Sequence, residues 1–254
     1  MKRVKVRTFS GVVCEQEVFT ISDRSDVRKA EYKPRFETEE DRQKHKDDIS
    51  RRNHVRLINE NCSPESLYST LTFNTENEVH DARDCRIIRD RYFRRLKYAY
   101  PDAVIFMYYG QGKTTHRFHL HMISNGIPES FIKEKWTFGE ISRIEHLREH
   151  CLYDGVDHGK DYKGLANYLF DHWEPRFGGH RWKMTKNVRR PEREKPKEVK
   201  RAYSEKHPPI APKGYTLVET KANRYGYLYF RYIKMPEESR TPRRRQRAAP
   251  DGIE

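Results

Sequence analysis

The chain carries four cysteines, Cys14, Cys62, Cys85 and Cys151, and no two of them form a C-x-x-C pair. That spacing indicates neither a zinc ribbon nor a disulfide framework, and a reducing compartment, the cytoplasm, is the expectation. Long apolar runs are also missing: the longest, residues 103–109, covers seven residues, against the roughly 20 that a membrane-crossing helix needs. The first twenty residues place Ser10, Gly11 and Glu15 where a secretory leader requires its apolar stretch, so no export signal and no membrane association is expected. There is no internal repeat. What the chain has in excess is positive charge, 52 Lys plus Arg against 38 Asp plus Glu, a net +14 over 254 residues. A field of that sign favours a polyphosphate partner, although charge alone does not separate DNA, RNA and anionic membrane. At roughly 150 residues per domain, the length allows one large domain or a main domain with appendages.

Residues 1–60 are mostly charged and end in a run, 37–60, whose only apolar points are Ile49, Val55, Leu57 and Ile58; a solvated helix leading into the core is predicted. Over 67–73, Leu67, Ser69, Leu71 and Phe73 alternate with Tyr68, Thr70 and Thr72, the period of a strand. Between 81 and 100, Cys85, Ile88, Tyr92, Leu96 and Ala99 recur every three or four residues, which predicts an amphipathic helix with an arginine-rich outer face. Residues 103–109 read as a buried strand, Gly110-Gln111-Gly112 as a turn and 117–124 as the returning strand. A short helix from Pro128 to about Trp136, a strand over 140–147 and a helix over about 161–173 follow. Beyond Arg176 the chain turns strongly basic, Pro191 and Pro196 exclude a long helix, and 215–218 with 225–233 have the composition of a hairpin. The arginine-rich end offers nothing to bury and is expected to be disordered. The fold class that follows is α+β: a central antiparallel sheet with helices packed on one face, plus a basic C-terminal extension. Its expected divisions are a charged helical segment (1–60), a core (61–178), a basic strap and hairpin (179–235) and a disordered tail (236–254).

His119-Leu120-His121 is the sharpest chemical feature. On a strand, alternate side chains share a face, so both imidazoles project together while Phe118, Leu120 and Met122 project oppositely. Two neutral imidazoles side by side make half of a divalent-metal site. Tyr168 lies at the margin of the apolar stripe formed by Leu165, Ala166, Leu169, Phe170 and Trp173, with Asp161, Asp171 and His172 nearby. A tyrosine with its free pKa of about 10 is a poor nucleophile, so an attacking Tyr168 needs a cation at the phosphate or a neighbouring base. Downstream, Trp182 set among Arg181, Lys183 and Lys186 pairs a stacking platform with cations, as single-strand binding requires.

These residues resemble, over about 50–235, the HUH-type single-strand endonucleases, and within them the replication-associated proteins of rolling-circle plasmids and filamentous phages. Residues 68–74, YSTLTFN, resemble the family's first motif. Arg117-Phe118-His119-Leu120-His121 resembles the metal motif, and Gly164-Leu165-Ala166-Asn167-Tyr168 the motif that carries the nucleophile. Residues 181–191 resemble a basic block of close relatives. The resemblance implies an HUH-like core and a replication-initiation nickase. His119 and His121 would hold Mg²⁺ or Mn²⁺, Tyr168 would form a 5′-phosphotyrosyl link and free a 3′ hydroxyl, and Arg181, Trp182, Lys183, Lys186 and Asn187 would contact DNA. The implied partners are single-stranded DNA, a replication origin, and a host helicase and polymerase. Two positions depart from the family pattern: Asp171 stands where relatives carry lysine, and Tyr108 where they carry a glutamate ligand, leaving His116 or Glu76 to complete the metal sphere. The alternatives are a mobilisation relaxase or single-tyrosine transposase, and a nucleic-acid-binding protein that has lost cleavage.

Overall fold

Val4, Val6, Thr8 and Ser10 alternate with Arg3, Lys5, Arg7 and Phe9, and the first set is buried while the second lies half exposed. In the computed structural model, which describes residues 2–21, 38–153, 155–174, 177–223 and 226–235, this stretch is strand β1 (Lys2–Ser10), hairpinned to β2 (Val13–Ile21). Gly11 makes the turn at φ +54, and a Cβ there would lie 2.3 Å from the Asn59 carbonyl oxygen, so only glycine fits. The expectation of a helical segment over 1–60 is therefore corrected for its first third. The charged half of β1 hid a period-2 pattern; besides the adjacent β2, it pairs with residues 192–193 and 197–198.

The expected helix is α1 (Glu39–Asn61), capped by Thr38, whose side chain accepts from the Asp41 amide at 3.0 Å. Its first half is solvated, and its second half buries Val55, Leu57 and Ile58. The remaining elements are β3 (Leu67–Thr72), α2 (Ala82–Ala99), β4 (Val104–Gln111), β5 (Phe118–Asn125), α3 (Glu129–Lys135), β6 (Ile141–His146), the short ribbon β7 (Leu152–Tyr153) and β8 (Val156–Asp157), α4 (Lys163–Asp171) and β9 (Trp182–Met184). After them come β10 (Glu192–Arg193), β11 (Lys197–Glu198), β12 (Tyr215–Ala222) and β13 (Leu228–Lys234).

Two antiparallel sheets result. The first runs β6-β3-β5-β4-β9, which makes the histidine-bearing β5 its middle strand. The second runs β10-β1-β2-β13-β12, with β11 also on β1, so the two terminal hairpins share one sheet through β2 and β13. Gly110 and Gln111 lie inside β4 rather than in a turn, and the turn begins at Gly112.

Helices cover both faces of the first sheet, not one as expected. Phe118, Leu120, Met122, Ile105 and Met107 pack with Tyr92 and Leu96 of α2 and Ile132 of α3. On the opposite face Tyr68, Phe106, Tyr108 and Ile123 pack with Val55, Leu57 and Ile58 of α1 and Ala166 and Leu169 of α4. Each such fully buried side chain contributes about 1.5–3 kcal/mol. The single-face expectation failed because the second apolar set is aromatic and interrupted by His119, His121 and Thr70, which mask its periodicity. The basic strap divides: β9 extends the first sheet, while β10 and β11 pair with β1 of the second. Residues 236–254, including the arginine-rich tail, lie outside the described residues. No helix among the described residues is long and apolar enough to cross a membrane.

Candidate metal centre and nucleophile

Because β5 is paired on both sides, the directions of His119 and His121 are set by two ladders. His121 faces Thr70 of β3 and Tyr108 of β4 across the sheet, and His119 faces Thr72 and Gly110. Their Nε2 atoms lie 3.0 Å apart. Over them lies the end of α4, where Tyr168 and His172, four residues apart, share one helical face. The His172 ring is 4.6 Å from that of His121 and 5.4 Å from that of His119, centroid to centroid. The ligand atoms of His119, His121 and His172 all lie within 4.8 Å of one another, a group able to hold a metal ion.

Gly110 makes this approach possible. A Cβ at that position would stand 2.8 Å from the His172 carbonyl oxygen and 3.0 Å from its ring, so any larger residue pushes His172 off the pair. Helix α4 is fixed at both ends. Ahead of it, buried Asp161 accepts two hydrogen bonds from Arg231 of β13, at 2.6 and 2.7 Å, and one from Asn59 of α1 at 3.0 Å. At its end Asp171 accepts two from Arg51, at 2.9 and 2.5 Å. The second sheet and α1 thereby set where the tyrosine-bearing helix lies.

The hydrogen bonds on the far side of each ring orient the ligands. His172 Nδ1 meets the Tyr168 carbonyl at 2.9 Å, and His119 Nδ1 meets the Arg117 carbonyl at 3.4 Å. His121 Nδ1 meets the Tyr68 hydroxyl at 2.8 Å and Thr70 Oγ1 at 3.1 Å. Nδ1 protons donated to carbonyls leave the Nε2 lone pairs facing inward, the usual tautomer of metal-binding histidines. At 3.0 Å the two Nε2 atoms either share a proton or, with both lone pairs inward, take a cation between them. Burial, reinforced by the neighbouring imidazoles, lowers the pKa of His121 well below the ordinary range and that of His119 less, keeping both neutral and able to ligate. The donor set fits a divalent metal.

Tyr168 is 47% exposed and lines a cavity. Its ring lies 4.2 Å from that of His172 and 5.5 Å from that of His121. The phenol of Tyr68, whose pKa burial pushes up to about 12, lies beside it in the same cavity wall. Tyr68 thus stays protonated at neutral pH and lies against both the His121 Nδ1 and Tyr168.

The third histidine is not one of the expected candidates. His116 lies exposed in the β4–β5 turn at φ 53, and Glu76 lies exposed in a single 3₁₀ turn, Thr75–Asn77. The Tyr108 hydroxyl is buried against His54 Nε2 at 2.8 Å, on the α1 side. The sequence places His172 near Tyr168 but outside the metal sphere, Tyr68 only in the first motif and Gly110 only in a turn; the signals for their places here are the four-residue spacing of Tyr168 and His172 and the shared strand parity of Tyr68 and Thr70.

Of the expected DNA contacts, Arg181 pairs with Asp47 at 2.7 Å and lies 4.0 Å above the Phe170 ring. Trp182 packs 4.6 Å from the His54 ring, Lys183 pairs with Asp90 at 3.0 Å, and Asn187 donates to the Asp102 carbonyl at 2.9 Å. Each therefore has a partner within the protein, while Lys186 is exposed. No protein-family model, no curated protein and no solved structure matches this chain.

Proposed function

We propose that the chain is a metal-dependent endonuclease of the HUH kind, which nicks single-stranded or locally melted DNA at a replication origin. The observation that carries this reading is the half-exposed Tyr168 beside three clustered histidines, on a protein of net charge +14. His119, His121 and His172 would hold the ion. When bound, it supplies Lewis-acid polarisation of a phosphate oxygen and neutralises charge that develops there. No carboxylate belongs to the three-histidine group, so the ion would keep its full positive charge for the substrate. All-imidazole ligation favours Mn²⁺ over oxygen-seeking Mg²⁺.

The residues of the chain do the rest. Tyr168 attacks phosphorus through its phenolic oxygen, the bond from phosphorus to the 3′ oxygen breaks, and the freed 3′ oxygen takes up a proton to become a hydroxyl. The phenolic proton leaves to water at the exposed rim. Tyr68, held by His121 and Thr70, would donate a hydrogen bond to the Tyr168 oxygen once its proton has left. Asp171, in the position where relatives carry lysine, is engaged by Arg51 and contributes to helix placement rather than to phosphate binding.

The deciding experiment is nicking of supercoiled plasmid and of a single-stranded hairpin with Mn²⁺ or Mg²⁺. Wild type should cleave, EDTA should stop it, and Tyr168→Phe should bind DNA without cleaving. A Phe variant that nicks at the wild-type rate refutes the assignment. Binding without cleavage by the wild type leaves the binding-protein reading.

A further inference from the structure

A cavity of about 450 Å³ opens beside Tyr168, between β6, the β7–β8 ribbon and the start of α4. Its size lies within the range of sites that enclose a small organic molecule. Tyr68, Tyr153, Tyr162 and Tyr168 all line it. Aromatic faces with polar edges suit a partner that is itself a flat ring with polar edges. The wall nearest α4 is built to hold one ring in place. The Tyr153 hydroxyl accepts the Gly164 amide hydrogen, and a Cβ at Gly164 would lie 2.5 Å from that hydroxyl and 3.3 Å from the ring. The hydroxyl end of Tyr153 therefore lies close against the helix start.

The mouth combines two further features. Leu152 lines the cavity and is 72% exposed. A large apolar side chain presented to water at the mouth suits contact with the face of a base. At the same mouth Arg148 is exposed and makes no ion pair among the described residues, which leaves a cation for a phosphate. An exposed leucine, aromatic walls and an arginine line one cavity with the residue proposed to attack phosphorus.

We propose that this cavity receives one unstacked nucleobase of the single strand, next to the phosphate at Tyr168, with the β7–β8 ribbon as its outer wall. The proposal rests on the nuclease reading for its placement and adds the substrate subsite: one nucleotide adjoining the cleaved phosphate is read by stacking. Stacking tolerates every base, so the pocket demands that a base be present before it selects which one.

The test compares a 20-nucleotide oligo-dT with an abasic chain of equal length and charge, by fluorescence anisotropy. Wild type should prefer the base-bearing strand by on the order of tenfold or more. Tyr153→Ala should remove most of that preference. Leu152→Ser, at a position too exposed to affect folding, should reduce it about threefold, a fraction of one stacked base. Both should leave the affinity for the abasic strand unchanged. Photocrosslinking with 5-iodouracil-substituted strands should attach to peptides containing Tyr153, Tyr162 or Tyr168. An unchanged preference in both variants, or crosslinks confined to other surfaces, overturns the pocket. Base preference and crosslinks without any nicking would keep the pocket and remove the nuclease. Nicking without either would do the reverse, and a chain that neither binds nor nicks loses both.

Discussion

Asp161 and Arg231 are 0% and 1% exposed, and the two hydrogen bonds between them join the second sheet to the segment that launches α4. Replacing Asp161 with Asn leaves the Arg231 guanidinium buried without its counter-charge, which costs about 3–5 kcal/mol. Against a typical total of about 5–15 kcal/mol, that is a large loss, and the urea midpoint should drop accordingly at unchanged slope. Arg231→Met should cost a similar amount. The double variant Asp161→Leu/Arg231→Met should cost no more than either single change, because neither charge is then stranded. The coupling read from the cycle should therefore be several kcal/mol. The link to chemistry is positional: Asp161 touches neither metal ligand nor nucleophile, yet a shift of about 1 Å in a reacting group lowers rate by about 10²-fold. Nicking by Asp161→Asn, measured where the variant is still fully folded, should thus fall by about two orders of magnitude. Single variants that each lose less than about 1 kcal/mol, and whose effects add, would refute the claim that this pair anchors the helix.

Acid should act in two windows. Burial lowers the pKa of His54 to about 3, so between the ordinary value of 6.5 and about 3 the unfolded chain binds a proton that the fold refuses, and stability falls as pH drops. His54→Leu should flatten that part of a urea-midpoint profile. Although burial opposes it, the bonds from Arg231 and Asn59 leave the Asp161 pKa below the ordinary carboxylate value. Its contribution is therefore present above about pH 4 and lost as pH falls through the depressed value. Tyr68→Phe should leave metal affinity within a few-fold, since Thr70 still meets His121, but lower the nicking rate by on the order of tenfold through loss of one hydrogen bond to the attacking oxygen. His172→Ala should weaken Mn²⁺ binding, read by titration calorimetry, by about 100-fold or more, whereas His116→Ala should not change it; equal effects would overturn the three-histidine assignment.

Much of the first sheet was legible because its strands are short, apolar and alternating. The histidine pair could be placed on one strand face from period 2 alone, and the Asp81-capped helix α2 from period 3.6. What escaped was non-local. β1 and β2 are stabilised by pairing β2 with β13, a contact that no window of neighbouring residues contains, and β1's lysines and arginines disguised the alternation. Gly110 looked like half of a Gly-x-Gly turn, but it is a strand glycine whose missing side chain admits His172. His172 was visible as one helical turn from Tyr168; what sequence lacked was the crossing of α4 over β5, which brings the third imidazole to the first two. Trp182 and its basic neighbours carried a nucleic-acid signature by composition, and the fold gives most of them partners within the protein: Trp182 fills the gap beside His54, and Arg181 stacks on Phe170.

The most direct measurement of the central claim is to incubate the chain with Mn²⁺ and a pool of single-stranded oligonucleotides, digest it, and sequence the nucleotide-bearing peptide by mass spectrometry. A 5′-phosphate ester on Tyr168, absent with EDTA and absent in His119→Ala, is the predicted result. An adduct on another tyrosine, or cleavage products with water-derived 5′-phosphates and no protein adduct, would contradict the assignment of Tyr168 as the nucleophile.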